Sequence, residues 1–149
     1  MDPLPEGRAI QMQHNQARTG GRMRDYQRKK TKYILPAAVY HRTLWTIRDY
    51  HRIKDELCLM VAVGGNKGDG PSSGATGDPT FNIAVKHGDY IDIINAIDNA
   101  KEVIPPEYIN GIWNNILYSA RYPKDSERST YGHMKSRFIY EVAKNLNYI

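Results

Sequence analysis

The sequence contains a single cysteine, Cys58, among its 149 residues. One cysteine excludes an intramolecular disulfide and favours a reducing compartment. Long hydrophobic runs are also missing, because the longest covers only the seven residues from Leu57 to Val63. A membrane-spanning helix needs roughly 18 apolar residues. The first residues lack the apolar core of a signal peptide. We therefore expect a soluble protein of the cytoplasm, with no membrane partner.

Patterns that carry catalysis or bind metal are scarce as well. No two of the five histidines stand four residues apart beside a glutamate, as a zinc-protease helix requires. Asp89 and Asp92 stand three residues apart, a spacing that more often faces solvent than performs acid–base chemistry. We expect no enzymatic activity, no metal ion and no cofactor.

The charge is concentrated at the two ends of the chain. Residues 1–32 hold eight Lys and Arg against three acids, and residues 120–149 hold six against three. The middle, residues 33–119, holds seven against ten acids, so the net charge of +5 arises at the ends. Basic ends suit a polyanion such as DNA, RNA or an anionic membrane surface.

The basic N-terminal arm, residues 1–32, has few large apolar side chains and is expected to be disordered on its own. Its cations are candidates for sequence-independent contacts with phosphates. The closest group of them is Arg22, Arg24, Arg28, Lys29 and Lys30. The alternative is that the arm only keeps the chain soluble.

The segment from Leu35 to about Met60 has the spacing of one long amphipathic helix. Its apolar positions recur every three or four residues. They are Tyr40, Leu44, Ile47, Tyr50, Ile53, Leu57 and Met60. Pro36 suits the first turn of such a helix. We expect Trp45 to widen the buried face, and we expect Cys58, which stands among apolar residues, to be a buried and inert thiol.

A glycine-rich stretch at residues 64–78 interrupts this pattern with six of the twelve glycines. It lacks the Gly-Lys-Ser/Thr of a P-loop and the alternating ligands of a calcium loop, so it predicts a flexible linker. Asp78 and Pro79 then suit the cap and first turn of a second helix, which runs to about Val103. Its stripe is Ile83, Tyr90, Ile93, Ile94, Ile97 and Ile104. An antiparallel hairpin would bury both stripes, and the linker also allows each helix to pair with another copy of the chain.

Two further helices are expected near the C-terminus. Pro105, Pro106 and Glu107 predict the start of a third helix, reaching about Ser119. Its apolar face is Ile109, Ile112, Trp113, Ile116 and Leu117. After a turn-like stretch, Ser129 is a plausible cap for a final helix to about Asn147. The stripe of that helix is Tyr131, Met134, Phe138, Val142 and Leu146.

Four helices and no strand predict an all-α fold. We divide the chain into the arm at residues 1–32, a long helical hairpin at 33–103 with its flexible Gly-rich loop at 64–78, and a C-terminal helix pair at 104–149. If the last stripe is buried, the opposite face of the final helix presents short polar groups and cations. Major-groove recognition uses such groups. A solvated face with ordinary charges is the alternative.

A resemblance favours the first interpretation. Residues 104–108, Ile-Pro-Pro-Glu-Tyr, and residues 129–138, Ser-Thr-Tyr-Gly-His-Met-Lys-Ser-Arg-Phe, resemble the end of sigma-factor region 4. From residue 32 onward the chain is also similar to phage regulators of the RinA and ArpU type. The resemblance implies a regulator, a late-gene activator that binds double-stranded promoter DNA in a bacterial host and contacts its RNA polymerase.

The resemblance also implies which residues bind DNA. Carried over, the recognition positions are Ser129, Thr130, His133, Lys135, Ser136 and Arg137. Arg128 and Lys144 of the same helix are added as basic neighbours. In this scheme Lys135 and Arg137 anchor phosphates, while Thr130 and His133 contact bases. Residues 120–128 leave room for little more than one helical turn, so we expect an abbreviated helix-turn-helix or a simple hairpin.

Two other functions stay open at this point. One is an oligomeric DNA-packaging adaptor resembling a small terminase, in which a homo-oligomer assembles on DNA. The other is a protein-interaction module, in which the hairpin binds a partner and the basic arm is incidental.

Overall fold

A computed structural model describes residues 25–64 and 79–149 of the chain. Five α-helices, and no strand, occupy these two ranges. They are α1 (Ala37–Arg48), α2 (Tyr50–Gly64), α3 (Pro79–Val103), α4 (Pro106–Tyr118) and α5 (Arg128–Asn145). The all-α fold class predicted from the sequence is confirmed.

The first predicted helix is divided at one residue, Asp49. The Asp49 N–H donates to the carbonyls of both Trp45 (3.1 Å) and Thr46 (3.2 Å), a shared bond that tightens the end of α1. The Ile53 N–H then donates to the Asp49 carbonyl at 3.0 Å, so hydrogen bonding resumes at once. The prediction of a single helix is therefore wrong at this point, and α2 also extends beyond Met60 to the glycine that begins the linker.

The direction of α2 against α3 follows from two contacts. Near the start of α2, the Tyr50 hydroxyl lies 2.8 Å from Asp98 Oδ1, close to the end of α3. Further along α2, Glu56 pairs with Lys86, near the beginning of α3, at 3.2 Å. Because the partners on α3 move backward as α2 advances, the two helices run antiparallel.

The core lies where α1, α3, α4 and α5 meet. Its largest fully buried side chains include Tyr131 and Phe138 of α5, Leu44 and Ile47 of α1, Ile97 of α3, and Ile112 and Ile116 of α4. These positions belong to the stripes expected from sequence spacing. On α5, Met134 and Leu146 are only half-buried at the edge of this core.

Several expected core positions face outward instead. Trp45 is 61% exposed, and its ring covers the guanidinium of Arg48 at 5.0 Å rather than entering the core. Cys58 is exposed, so the expectation of a buried thiol is wrong. Ile83 is 55% exposed. Cys58 and Ile83 lie where α2 and α3 extend past the core, and no other described element covers them. The spacing of apolar residues predicted their burial without showing whether a partner is present.

The start of α5 differs from the prediction by one or two residues. Glu127, not Ser129, is the N-cap, and its carbonyl accepts the N–H groups of Thr130 (3.0 Å) and Tyr131 (3.3 Å). Ser129 lies inside the first turn, where its hydroxyl contacts Glu127 Oε2 at 3.3 Å. The predicted Asp78 cap and all of the linker except Gly64 lie outside the described residues. None of the helices described here is long and apolar enough to cross a membrane.

Candidate nucleic-acid interface

A loop, and not a helix, joins α4 to α5. Residues 119–127 contain no helix and no strand, and a turn and a bend occur only at residues 124–126. A complete helix-turn-helix requires a full helix at this place in the order of elements. The C-terminal part of the chain is therefore a pair of helices with a nine-residue connection, the second of the two arrangements expected from the short spacing.

The loop leaves α4 through a fixed turn. Ser119 adopts the left-handed conformation with φ 54°, which reverses the chain at a helix end. The Ala120 N–H donates to the Asn114 carbonyl at 3.3 Å, and the Asn115 side-chain amide donates to the Ala120 carbonyl at 2.8 Å. These bonds satisfy backbone groups that the end of α4 leaves open.

Packing against α5 holds the middle of the loop. The Tyr122 ring stacks on the Tyr131 ring with centroids 5.0 Å apart and planes 10° apart. The Tyr131 hydroxyl donates to Asp125 Oδ1 at 2.6 Å, and this bond raises the pKa of Tyr131 to about 12. Pro123 approaches Gly111 so closely that a Cβ at residue 111 would lie 2.8 Å from its ring. The loop therefore presents its other side chains from a defined position.

The N-terminus of α5 is open to an anion. Its first turn contains no acidic residue, and the side chain of its N-cap, Glu127, makes no hydrogen bond to the N–H groups of the helix. Arg128 and Ser129 are exposed there. The unpaired N–H groups and the helix dipole give this end a partial positive charge, which favours phosphate.

A basic cleft of about 1040 Å³ opens beside this helix end, bounded by residues 26–28, the 119–126 part of the loop and the first half of α5. Five cations line it, namely Arg28, Arg121, Lys124, Arg128 and Lys135. No aspartate or glutamate lines it. Within residues 25–64 and 79–149, none of the five lies within 4 Å of a carboxylate. Their mutual repulsion is therefore not relieved by a direct ion pair among the described residues.

Lys135 stands on the inner wall of the basic cleft. Burial, together with the smaller effect of the nearby Arg48 guanidinium, lowers the pKa of its ammonium group to about 8, against the opposing effect of Asp25. Asp25 itself is held by Arg48 through two hydrogen bonds of 2.7 and 3.0 Å. The carboxylate that acts on Lys135, that of Asp25, therefore already forms an ion pair with Arg48.

Residues 25–35, which we call the strap, form a closed loop before α1. The side-chain amide of Gln27 donates to the Leu35 carbonyl at 2.7 Å, and its oxygen accepts the Leu35 N–H at 2.6 Å. Leu35 is buried in the core, and the Asp25–Arg48 pair fixes the other end of the strap. Residues 25–32 of the arm, which composition predicts to be disordered on its own, thus lie against the helices, while residues 1–24 lie outside the described part of the chain.

The strap covers part of α5. Arg28 Nη1 donates to the Ser129 carbonyl at 2.7 Å and lies 2.8 Å from where a Cβ of Gly132 would be. The Tyr33 ring lies 5.6 Å from the His133 ring and 5.5 Å from the Tyr140 ring. The face predicted to read bases is thus partly closed by another segment of the same chain.

The predicted DNA-binding residues fall into three groups. Five of them come together at the basic cleft, namely Arg28, Arg128, Ser129, Lys135 and Ser136. Half-buried on α5 are Thr130, His133 and Arg137. Exposed and away from the cleft are Lys29, Lys30 and Lys144, while Arg22 and Arg24 lie outside the described residues.

Two of these residues are turned inward. Ser136 is buried, and its hydroxyl donates to the Gly132 carbonyl at 3.0 Å, so the hydroxyl is used within the helix. The Nε of Arg137 is buried without a hydrogen-bond partner among the described residues. Both positions are less accessible than the resemblance implies.

Sequence reasoning missed the loop cations and the aromatic rings of the cleft. Arg121 and Lys124 line the cleft, as do Tyr26 and Tyr122. The density of cations between residues 121 and 128 was the available signal, since a short connection must hold them near the next helix. No cluster of three or more potential metal ligands occurs in the ranges that the structure describes.

Comparison of the chain with protein-family models, with curated proteins and with solved structures finds no match.

Proposed function

We propose that this protein binds double-stranded DNA as a phage-type transcription regulator. The observation that carries the proposal is the group of cations at the start of α5, which make no ion pair with any carboxylate of the described residues. Arg121, Lys124 and Arg128 are exposed at the rim, where a phosphate backbone has access.

The physical basis is electrostatic. Each phosphate that a cation neutralises releases a condensed counterion, which gives affinity for any DNA sequence. The uncapped N-terminus of α5 adds backbone N–H donors at the same place. The neighbouring Arg128 is therefore well placed to fix the register of the helix on a duplex.

Base recognition is the second element of the proposal. Thr130 and His133 belong to the face that the resemblance assigns to bases, and Tyr33 lies over His133. Sequence-specific binding therefore requires the strap to leave α5, whereas phosphate binding at the rim does not. The wider role, activation of late phage genes with contact to bacterial RNA polymerase, rests on the sequence resemblance.

The test is duplex binding by fluorescence anisotropy at about 50 and 200 mM salt. We expect Arg121→Gln and Arg128→Gln each to weaken binding to all sequences alike and to reduce the salt slope by about 1. Lys54→Gln is the matched control, because Lys54 is an exposed cation of α2 away from the cleft. We expect it to change neither quantity.

Two outcomes would contradict this function. One is the absence of any duplex binding at low salt, which would favour the protein-interaction module. The other is equal loss of affinity in Lys54→Gln and Arg128→Gln, which would mean that binding follows net charge rather than this surface.

A DNA-packaging adaptor is the second candidate, favoured by the apolar residues that α2 and α3 expose. Leu59, Val61, Ile83 and Val85 are 64%, 67%, 55% and 47% exposed. Exposed apolar residues gathered on neighbouring helices favour association. Light scattering of the protein with and without DNA separates the two roles, because a large ring would favour packaging and a monomer or dimer would favour regulation.

A further inference from the structure

We propose that the basic cleft is a binding site for an organic phosphate, a ligand with a phosphate monoester attached to a planar ring. The inference shares the exposed cations Arg121, Lys124 and Arg128 with the proposed DNA function and goes beyond it at Lys135 and the tyrosine rings of the cleft. A free mononucleotide and the 5′ end of a nucleic acid strand both carry such a phosphate. Comparing the two as ligands distinguishes these sources.

The charge of the cleft calls for an anion. Arg28 enters from the strap, Arg121 and Lys124 from the loop, and Arg128 and Lys135 from α5. Three separate elements thus direct cations at one concave space without an acidic residue in its lining. Like charges brought together in a cleft repel one another, and a bound dianion would remove this repulsion.

Lys135 gives the strongest reason to place the phosphate on the inner wall. Its half-buried side chain lines the cleft, burial lowers the pKa of its ammonium group, and Arg48 already pairs with the Asp25 carboxylate. A partly buried ammonium group without an ion pair is unfavourable. A phosphate within hydrogen-bond distance would supply the missing counter-charge, and a charge-assisted bond of this kind is stronger than a neutral one.

The size and the aromatic residues of the cleft favour an organic phosphate over the inorganic ion. A volume of about 1040 Å³ is at the upper end of the range for small-molecule sites. Tyr26, which is 68% exposed, lines it together with the Tyr122 ring that is held flat on Tyr131. An exposed tyrosine such as Tyr26 beside cations is the combination on which nucleobases stack.

Occupancy of the cleft is linked to the position of the strap. Tyr26 and Arg28 belong to the strap, so the complete site exists only while the strap lies on α5. A ligand that binds only this state stabilises it. An organic phosphate would therefore hold the strap over His133.

The experiment is isothermal titration of the full chain with adenosine 5′-monophosphate, inorganic phosphate and adenosine at low salt. We expect the nucleotide to bind more tightly than inorganic phosphate, and adenosine not to bind. Lys135→Gln and Lys135→Met should lower the affinity for the nucleotide about tenfold or more. Lys54→Gln, which removes an exposed cation of α2 that does not line the cleft, should leave it unchanged.

A second arm identifies the source of the phosphate. Single-stranded oligonucleotides with a 5′ phosphate or a 5′ hydroxyl, otherwise identical, are compared on the wild-type protein and on Lys135→Met. If the wild type binds the 5′-phosphorylated strand more tightly than the 5′-hydroxyl strand, and Lys135→Met does not, the site is supported and its ligand is the end of a nucleic acid strand. Tighter binding of the free nucleotide than of either strand supports the site with a small molecule as its ligand.

Failure of this proposal is distinct from failure of the DNA function. Absence of binding by the nucleotide, phosphate and phosphorylated strand, with duplex binding retained, overturns the site alone. Nucleotide binding that both Lys135 variants retain at full affinity also overturns it. Nucleotide binding without duplex binding supports the site and contradicts the DNA function.

Discussion

The ring of Tyr33 lies over the ring of His133, with 5.6 Å between their centroids. Tyr33 belongs to the strap and His133 to the face of α5 predicted to contact bases. The same tyrosine also contacts Tyr140 at 5.5 Å, so one side chain bridges two turns of the helix. The position of the strap therefore affects how much of His133 is accessible, since the side chain is half-buried with the strap in place.

Removal of this tyrosine should uncover His133. We expect Tyr33→Ala to increase the rate at which diethyl pyrocarbonate modifies His133, as measured by mass spectrometry of the digested protein. An aromatic pair is worth about 0.5–1.5 kcal/mol, and the substitution removes two such pairs, so the strap should also detach more often. Tyr118→Ala, which truncates an exposed tyrosine of α4, is the control. An unchanged modification rate in Tyr33→Ala would contradict a covering role.

The contact between Gly111 and the loop should be sensitive to one methyl group. A Cβ at residue 111 would lie 2.8 Å from both Pro123 Cδ and Tyr131 Cε1, two rigid rings. We expect Gly111→Ala to lower the free energy of unfolding by about 1–3 kcal/mol, because overpacking of this kind forces the surroundings to move. Urea denaturation measures the change.

Gly88 of α3 provides the opposite case. A Cβ there meets nothing within 4 Å, and alanine is the better helix former. We expect Gly88→Ala to raise the free energy of unfolding by roughly 0.4–1 kcal/mol. A loss of stability at both glycines would mean that the helix, and not the loop contact, is responsible for the effect at residue 111.

The ion pair of Asp25 with Arg48 should make stability depend on pH in the acid range. The hydrogen bonds from Arg48 hold the pKa of Asp25 below its usual value. The pair therefore stabilises the fold fully above the unfolded pKa near about 3.9, and this contribution is lost as the pH falls through the lower folded value. We expect Asp25→Asn to cost about 1 kcal/mol or less at pH 6.

The measurement for this pair is urea denaturation of the wild type and Asp25→Asn from pH 6 to pH 2.5. The difference between the two proteins should shrink as the pH falls. Asp89→Asn, at an exposed position that makes no ion pair among the described residues, should show no such change. A difference that stays constant with pH would rule out the ion pair as its cause.

The charged form of Lys135 should destabilise the fold, in contrast to the charged form of Asp25, and this effect should disappear at alkaline pH. Its folded pKa of about 8 lies below the usual lysine value of about 10.4, so between these values the unfolded chain binds more protons. The contribution of this residue to the free energy of unfolding then rises with pH. We expect Lys135→Met to be more stable than the wild type at pH 7, with a gap that narrows from pH 8 to pH 10. Lys144→Met is the exposed control, and the absence of any gap at pH 7 would contradict the burial of this charge.

Most of the helices were predictable because each rests on local signals. The double proline at residues 105 and 106 places the start of α4, and Pro79 places that of α3. The stripe through Tyr131, Phe138 and Val142 predicted α5 and its buried face. Spacing alone failed at Trp45 and Cys58, because it identifies a face without showing whether a partner covers it.

The candidate site was only partly predictable, since it depends on contacts between distant parts of the sequence. Arg28 donates a hydrogen bond to the carbonyl of Ser129, which is 101 residues away in the sequence. Composition alone assigned that arginine to a disordered arm. Arg128 and Lys135 were identified from the sequence, whereas the loop cations Arg121 and Lys124 were not. Neither the basic cleft nor the covering of His133 has a local signature.

The closed loop that Gln27 makes with Leu35 has a consequence for any DNA that approaches α5. Because Leu35 is anchored in the core, the strap remains tethered beside the helix even when Tyr33 lifts away. A tethered segment acts at an effective concentration in the millimolar range. Under the proposed function, a duplex reaches the base-reading face of α5 only by displacing this tethered segment, so a sequence that offers few base contacts is held by the rim cations alone.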